Sequence, residues 1–176
     1  MSEPGLDMSR VSPADAAVTV RSLPRRFLGV FASAPPPDDP GGDDLVRRVG
    51  PDGHAALDHL ALVTRGLVLV DHALGQVMVQ DSPHLHAAVT DPGARDYVPV
   101  GGHDPTAADL LDELGTVAES LATRIERTPA GDWSRAGRIG GEATVTALDL
   151  AREAVKTGIH HLRAAEATLS AVRGRG

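Results

Sequence analysis

The stretch that decides the fold is TALDLAREAVKTGIHHLR, residues 146–163. Its apolar residues recur every three or four positions, which is the spacing that places them on one face of an α-helix. Thr146 and Asp149 resemble a capping box, in which each side chain binds the backbone of the other residue, and so mark the start of the helix. Two adjacent histidines, His160 and His161, stand deep inside this amphipathic pattern.

The composition favours one helical domain and argues against several functions. Of the 176 residues, 41% are hydrophobic but only 2% are aromatic, so the core must consist of Leu, Val, Ile and Ala, which suits closely packed helices. A net charge of -7 argues against nucleic-acid binding, and we expect no membrane span. Without cysteine there are no disulfides or thiolate ligands. The N-terminus does not resemble a signal peptide, so we expect a cytoplasmic protein.

The first amphipathic segment begins near residue 12. Ser12 is a suitable N-cap, and Pro13 occupies the first helical position, where its missing N–H is not needed. The helical pattern continues to Phe31. Because Pro24 cannot donate a backbone hydrogen bond inside a helix, we expect a break near Ser22.

Two more amphipathic segments precede the last helix. The second is predicted from about residue 52 to about residue 79, with one broad apolar face. The third is predicted to start at Asp104, as N-cap, with Pro105 following, and to end at Thr128.

The connections between these segments are long. Residues 34–43 and 81–104 read as crossover loops, and residues 132–145 read as a short extended hairpin that precedes the last helix. The sequence therefore predicts an all-α protein with a flexible N-terminus, residues 1–11, and a single four-helix bundle domain, residues 12–173.

The order of these segments and their local sequences resemble those of the DinB/mycothiol-dependent maleylpyruvate isomerase-like superfamily over most of the chain. The matching stretches are residues 128–133, 140–142, 146–152 and 160–162, and more weakly 56–63. The resemblance implies a DinB-like four-helix bundle with a three-ligand zinc or nickel site near one end. Characterised relatives use such sites for chemistry that depends on a low-molecular-weight thiol, including isomerisation and S-transfer.

The ligand positions that the resemblance implies are altered in this chain. The ligand pair four residues apart on the last helix falls on Lys156, the only lysine, and His160, and the position on the second helix falls on Leu62. Leucine has no lone pair, and lysine is an ammonium ion at pH 7 unless burial lowers its pKa strongly. The sequence therefore favours an impaired site that has lost its divalent metal.

Other alignments of the metal-ligand positions remain open. His59 lies one turn before Leu62, so a slip of one turn would let His59 face His160, and these two histidines are then the candidate metal ligands. Thr157 and His161 are also four apart, although a threonine hydroxyl is a poor zinc ligand. Neighbouring helix residues diverge by about 100°, so His160 and His161 cannot both point inward.

Three functions are compatible with these residues. The first is a divergent thiol-dependent transferase or isomerase with an impaired metal site. The alternative is a non-catalytic, metal-free bundle that binds a small molecule or acts as a homodimeric scaffold. The third is a metal-independent enzyme in which a pocket encloses His160, as general base, and Lys156, as a cation that holds an anionic substrate. If Lys156 has no functional role, we expect it to be an exposed lysine paired with Glu153.

Overall fold

The structure, a computed structural model, describes residues 7–33, 42–94 and 105–174. Over these residues the protein is mostly helical. The α-helices are α1 (Pro13–Ala32), α2 (Gly42–Arg47), α3 (Ala56–Val79), α4 (Ala107–Arg127) and α5 (Ala147–Arg173). The strands are β1 (His84–Leu85), β2 (Ala136–Ile139) and β3 (Ala143–Thr146).

The four long helices share one hydrophobic core. α1 packs against α4 and α5, and α3 packs against the same two helices, so that α1 and α3 lie on opposite sides of the core. The largest fully buried side chains are mainly leucines, with Phe27 the largest. Among the described residues, α3 is the one helix that is long and apolar enough to cross a membrane by length and composition alone, and 44% of its most apolar window is buried inside the protein.

Capping boxes fix the starts of three long helices. The N-caps are Ser12 for α1, Thr106 for α4 and Thr146 for α5, and each exchanges hydrogen bonds with an aspartate three residues later. The predicted starts of α1 and α5 are confirmed. α4 begins two residues later than predicted, because Thr106 accepts the capping hydrogen bond from the backbone N–H of Asp109. The predicted cap, Asp104, lies outside the described residues.

The break expected near Ser22 is wrong, because α1 runs unbroken through Pro24. A proline inside a helix costs about 3 kcal/mol or more. Leu23 and Phe27, on either side of it, are fully buried, and burying one such side chain contributes about 1.5–3 kcal/mol. Packing on both sides of the proline therefore outweighs the lost hydrogen bond.

α3 also begins later than the predicted residue 52. Asp58 accepts a 2.7 Å hydrogen bond from the backbone N–H of Ala55, which fixes the helix start at Ala56. Residues 50–54 form a tight loop in front of the helix, in which the Gly50 N–H donates to the His54 carbonyl over 2.9 Å.

The predicted hairpin before the last helix is confirmed. β2 and β3 pair antiparallel around Gly140 and Gly141, whose φ angles of 57° and 104° are in the region that glycine adopts without strain. β1, which pairs parallel to β2, was not predicted, because two residues carry too short a pattern to recognise. Trp133 is partly buried and packs against the core.

Arginine side chains bind backbone carbonyls where chain segments meet the helices. Arg135 donates to the carbonyls of Val77 (2.7 Å) and Gln80 (3.1 Å) at the end of α3. On α5, Arg152 donates to the carbonyls of Ser9 and Val11, over 2.6 and 3.1 Å. Residues 7–11, predicted to be flexible, are thus held against α5, whereas residues 1–6 lie outside the described part.

α1 and α5 approach closely at Gly158. A Cβ atom at this position would lie 2.6 Å from Leu23 Cδ1, and Leu23 is fully buried. Gly115, in α4, offers a control, since a Cβ atom there would meet nothing within 4 Å.

We expect Gly158→Ala to destabilise the protein and Gly115→Ala to stabilise it. Both changes remove the helix penalty of glycine, about 1 kcal/mol, but only the first overpacks the core, which costs about 1–3 kcal/mol. Urea unfolding of the two variants measures the difference. Equal effects would contradict the close packing of α1 on α5.

A charged network on the surface joins α1 to α4. Arg21 donates from Nη1 to Glu126 over 2.6 Å and from Nε to Glu119 over 2.9 Å. Hydrogen bonding to Arg21 holds the pKa of both glutamates below its ordinary value. Their contribution to stability is therefore complete above the unfolded-state pKa and is lost as the pH falls through the folded-state pKa.

Arg21→Met should consequently destabilise the protein at pH 7 and have a smaller effect at pH 3, because a lower pH protonates a larger share of both glutamates and so weakens the ion pairs that the substitution removes. Thermal unfolding of wild type and variant at the two pH values is the measurement. An effect of the same size at both would show that Arg21 acts through packing and not through the ion pairs.

Candidate functional site

The centre of the candidate site is a pair of buried histidines that joins α3 to α5. His59 lies in the first turn of α3 and His161 in the middle of α5, with 3% and 6% of their surfaces exposed. Their Nδ1 atoms are 3.3 Å apart, which is a hydrogen-bond distance when one ring donates and the other accepts.

The packing of α5 explains why His161, and not His160, points inward. The buried face of α5 near this point contains Ala154, Gly158, His161, Ala165 and Thr168, which are spaced three or four residues apart. One step along the helix rotates a side chain by about 100°. His160 is therefore exposed, with its ring edge-on to that of His161 at a centroid distance of 5.0 Å.

The two predicted catalytic residues are both at the surface. The side chain of Lys156 is 58% exposed and lies 3.4 Å from Glu153, as expected for a lysine without a functional role. The hypothesis that Lys156 and His160 act together required a pocket enclosing both, and their exposure leaves it without support. Of the two candidate metal ligands, His59 is in the site but faces His161 instead of His160. Leu62 is half-buried.

The loop before α3 brings two more functional groups to His59. Gly50 packs so closely on α5 that a Cβ atom would lie 2.9 Å from the side chain of Thr168. This contact and the hydrogen bond from Gly50 to His54 hold the loop in place. Asp52 and His54, both about half exposed, are thereby positioned beside the buried ring of His59.

The carboxylate of Asp52 lies between the two histidines of the loop and the helix. Its Oδ1 accepts a hydrogen bond from the backbone N–H of His54 over 3.2 Å. Its Oδ2 is 3.0 Å from His59 Nε2 and 4.0 Å from His54 Nδ1. The Nε2 atom is buried, and the Asp52 carboxylate is the polar group that faces it and raises the pKa of the ring.

The surroundings keep the ring of His59 neutral and the carboxylate of Asp52 charged. Burial lowers the pKa of His59 below its ordinary value, against an opposing effect of Asp52. For Asp52, partial burial alone would raise the pKa, but the His54 backbone N–H and the two imidazoles lower it on balance. A neutral imidazole beside a carboxylate anion is a donor set that divalent transition metals accept.

The three-ligand metal site that the family resemblance implies does not fit these residues. Between α3 and α5 there are two imidazoles, and the position one turn before His161 is Thr157, a poor ligand for zinc. Among the described residues, no group of three or more His, Asp or Glu side chains is arranged as a metal-ligand set. The sequence-based alignment placed Leu62 and Lys156 at ligand positions, so the expected metal site lacked ligands. In the structure the expected site also lacks a third ligand, but the histidines that face each other are His59 and His161.

Comparisons of the chain with protein-family models, with curated proteins and with solved structures gave no match. The resemblance to the DinB-like superfamily therefore stays a prediction.

Sequence reasoning missed Asp52 and His54 as site residues. Both were assigned to the start of a helix, where their proximity to His59 was not considered. The short spacing of Asp52, His54 and His59, with Gly53 between the first two, is the signal that could have drawn attention to them.

We expect His161→Ala to destabilise the protein by about 1–3 kcal/mol, because it leaves His59 Nδ1 buried without a partner. The adjacent change His160→Ala should fall within about 0.5 kcal/mol of wild type, as an exposed substitution does. Chemical denaturation of both variants checks the assignment. The opposite order would mean that His160 is the inward residue.

Proposed function

We propose that this protein is a divergent DinB-like bundle protein with thiol-dependent transferase or isomerase activity, of the mycothiol type, and an impaired metal site. The observation that carries the proposal is the buried His59–His161 pair between α3 and α5. It lies where the resemblance implies a metal, between the second and the last of the long helices. The capping box of α5 and the hairpin in front of it are further support.

The chemistry of a thiol explains why an altered site of this kind could still be used. A thiol with an ordinary pKa of about 8.5 reacts as its thiolate, which nearby imidazoles or a metal ion stabilise. The chain has no cysteine, so the thiol must come from a small molecule. A location in the cytoplasm, where such thiols are kept reduced, belongs to this proposal.

The alternative is a non-catalytic, metal-free bundle that binds a small molecule or acts as a homodimeric scaffold. The same pair supports it, because both rings are more than nine-tenths buried and are within hydrogen-bond distance of each other. In this function the pair is a polar contact that fixes α3 against α5.

We expect Thr157→His to increase zinc affinity over wild type, because it adds a third nitrogen one turn before His161 on the same buried face. Lys156→His is the matched control, since it places a histidine one residue away on the exposed side of α5 and should leave zinc affinity unchanged. Isothermal titration with zinc measures both. A gain in zinc affinity in Lys156→His and none in Thr157→His would mean that His160, and not His161, lies in the site.

The enzymatic proposal is tested by assaying thiol transfer to an electrophilic acceptor with mycothiol, glutathione or cysteine as the probe. We expect wild type to accelerate transfer from one thiol and His161→Asn to reduce the rate, while His160→Ala leaves it unchanged. A wild-type rate equal to the uncatalysed rate with all three thiols would favour the non-catalytic alternative. Sedimentation of wild type then decides whether it is a homodimer.

A further inference from the structure

A cleft at the other end of α3 from the histidine pair has charged and apolar groups that the proposed function does not use. Its volume is about 660 Å³, within the roughly 300–1,000 Å³ that is usual for small-molecule sites. The lining includes Met78 of α3, Arg124 and Arg127 of α4, and Pro129 and Asp132 of the segment that follows α4. A helix rises about 1.5 Å per residue, so Met78 lies roughly 28 Å along the axis from His59. The cleft is therefore separate from the histidine site.

The guanidinium group of Arg124 is held in place by α3. Its Nε atom donates to Asp71 Oδ1 over 2.5 Å, and Asp71 Oδ2 accepts from the Ser120 hydroxyl over 3.1 Å. A Cβ atom at Gly75 would lie 3.3 Å from Arg124 Nη1 and 3.5 Å from Cζ, so the guanidinium group packs against the part of α3 where glycine leaves room for it. An ion pair and a packing contact therefore fix the position of this side chain.

The anchored guanidinium group still has donors for a ligand. Within residues 7–33, 42–94 and 105–174, the Arg124 side chain makes its hydrogen bond through Nε, so Nη1 and Nη2 are not used. The side chain is 41% exposed. The two outer nitrogens form a planar fork that matches the two oxygens of a carboxylate. Because the fork is already oriented, a carboxylate binds it with little further loss of side-chain freedom.

The charges around the cleft favour a ligand with both a negative and a positive group. The carboxylate of Glu119, which also lines the cleft, is paired with Arg21. Over the described part of the chain, the side chains of Arg127 and Asp132 have no hydrogen-bond or ion-pair partner. A simple anion bound to the arginines would be repelled by Asp132, whereas an ammonium group on the same ligand would be attracted to it.

We propose that this cleft binds a small zwitterion of the class of short apolar peptides with free ends. The carboxylate end binds the Nη1 and Nη2 atoms of Arg124, and the ammonium end binds Asp132. Arg127, one turn after Arg124 on the same face of α4, adds a second positive charge close to the carboxylate. Met78 and Pro129 provide apolar contacts for the side chains of the peptide. This binding is independent of the proposed thiol chemistry, because it uses neither histidine of the buried pair.

The test is an NMR titration of the full, nitrogen-15-labelled chain with leucyl-leucine. We expect saturable binding in wild type, with the largest shift changes at the end of α3 and in the second half of α4. N-acetyl-leucyl-leucine lacks the ammonium group and leucyl-leucinamide lacks the carboxylate. Each should bind at least about tenfold more weakly, since a hydrogen bond to a charged group contributes about that factor. Equal affinity for all three compounds would overturn the proposal, as would a wild type that does not bind leucyl-leucine.

Substitutions separate the two ends of the ligand. Arg124→Gln should weaken the binding of leucyl-leucine at least about tenfold, whereas Arg163→Gln, at an exposed arginine of α5 outside the cleft, should bind as wild type does. Asp132→Asn should weaken the binding of leucyl-leucine but not that of N-acetyl-leucyl-leucine, which has no ammonium group. A loss of equal size with both peptides would show that Asp132 acts through the fold, and would overturn the zwitterion as the ligand.

A pair of glycine variants tests the position of the guanidinium group without removing a charge. In Gly75→Ala the new methyl group presses on Arg124 Nη1, so the affinity for leucyl-leucine should fall. In Gly115→Ala the methyl group meets nothing within 4 Å, so the affinity should not change. Both changes favour the helix, and circular dichroism confirms that every variant is folded. Unchanged affinity in both Arg124→Gln and Gly75→Ala would overturn the site.

Discussion

The contact between His59 and His161 is the interaction on which the account of this protein depends. It is a polar contact in a core made mainly of aliphatic side chains, with two phenylalanines and three buried threonines among them, and it joins two residues about 100 positions apart in the sequence. A buried imidazole nitrogen without a partner would cost roughly 1–3 kcal/mol, so this contact stabilises the packing of α3 on α5. The same contact also decides which nitrogen of His59 faces the loop.

The loop gives this contact a chemical consequence. Because Gly50 packs directly on α5, the backbone that carries Asp52 is held at a fixed distance from the helix that carries His161. A carboxylate, an exposed imidazole and a buried imidazole therefore meet at the N-terminal end of α3. In the position that the resemblance implies for a metal, by contrast, Thr157 stands where a third ligand is needed.

The sequence predicted those features that depend on local chemistry. The N-caps Ser12 and Thr146 and the hairpin around Gly140 follow from side chains that bind the adjacent backbone or from backbone angles that glycine favours. Continuity of α1 through Pro24 could not be predicted, because it depends on burial against distant helices. The choice between His160 and His161 likewise depends on the rotation of α5, where an error of one residue turns a side chain by about 100°. His59 was recognised, but Asp52 and His54 were not, since their role arises only from the fold of the loop.

The most direct measurement is NMR of the histidine rings in metal-free, nitrogen-15-labelled protein at neutral pH. A scalar coupling between two nitrogens across a hydrogen bond identifies both partners and the ring that carries the proton. We expect a coupling between His59 Nδ1 and His161 Nδ1, whose separation is 3.3 Å. The absence of this coupling, or a coupling of His59 to His160, would contradict the arrangement of the two helices described above.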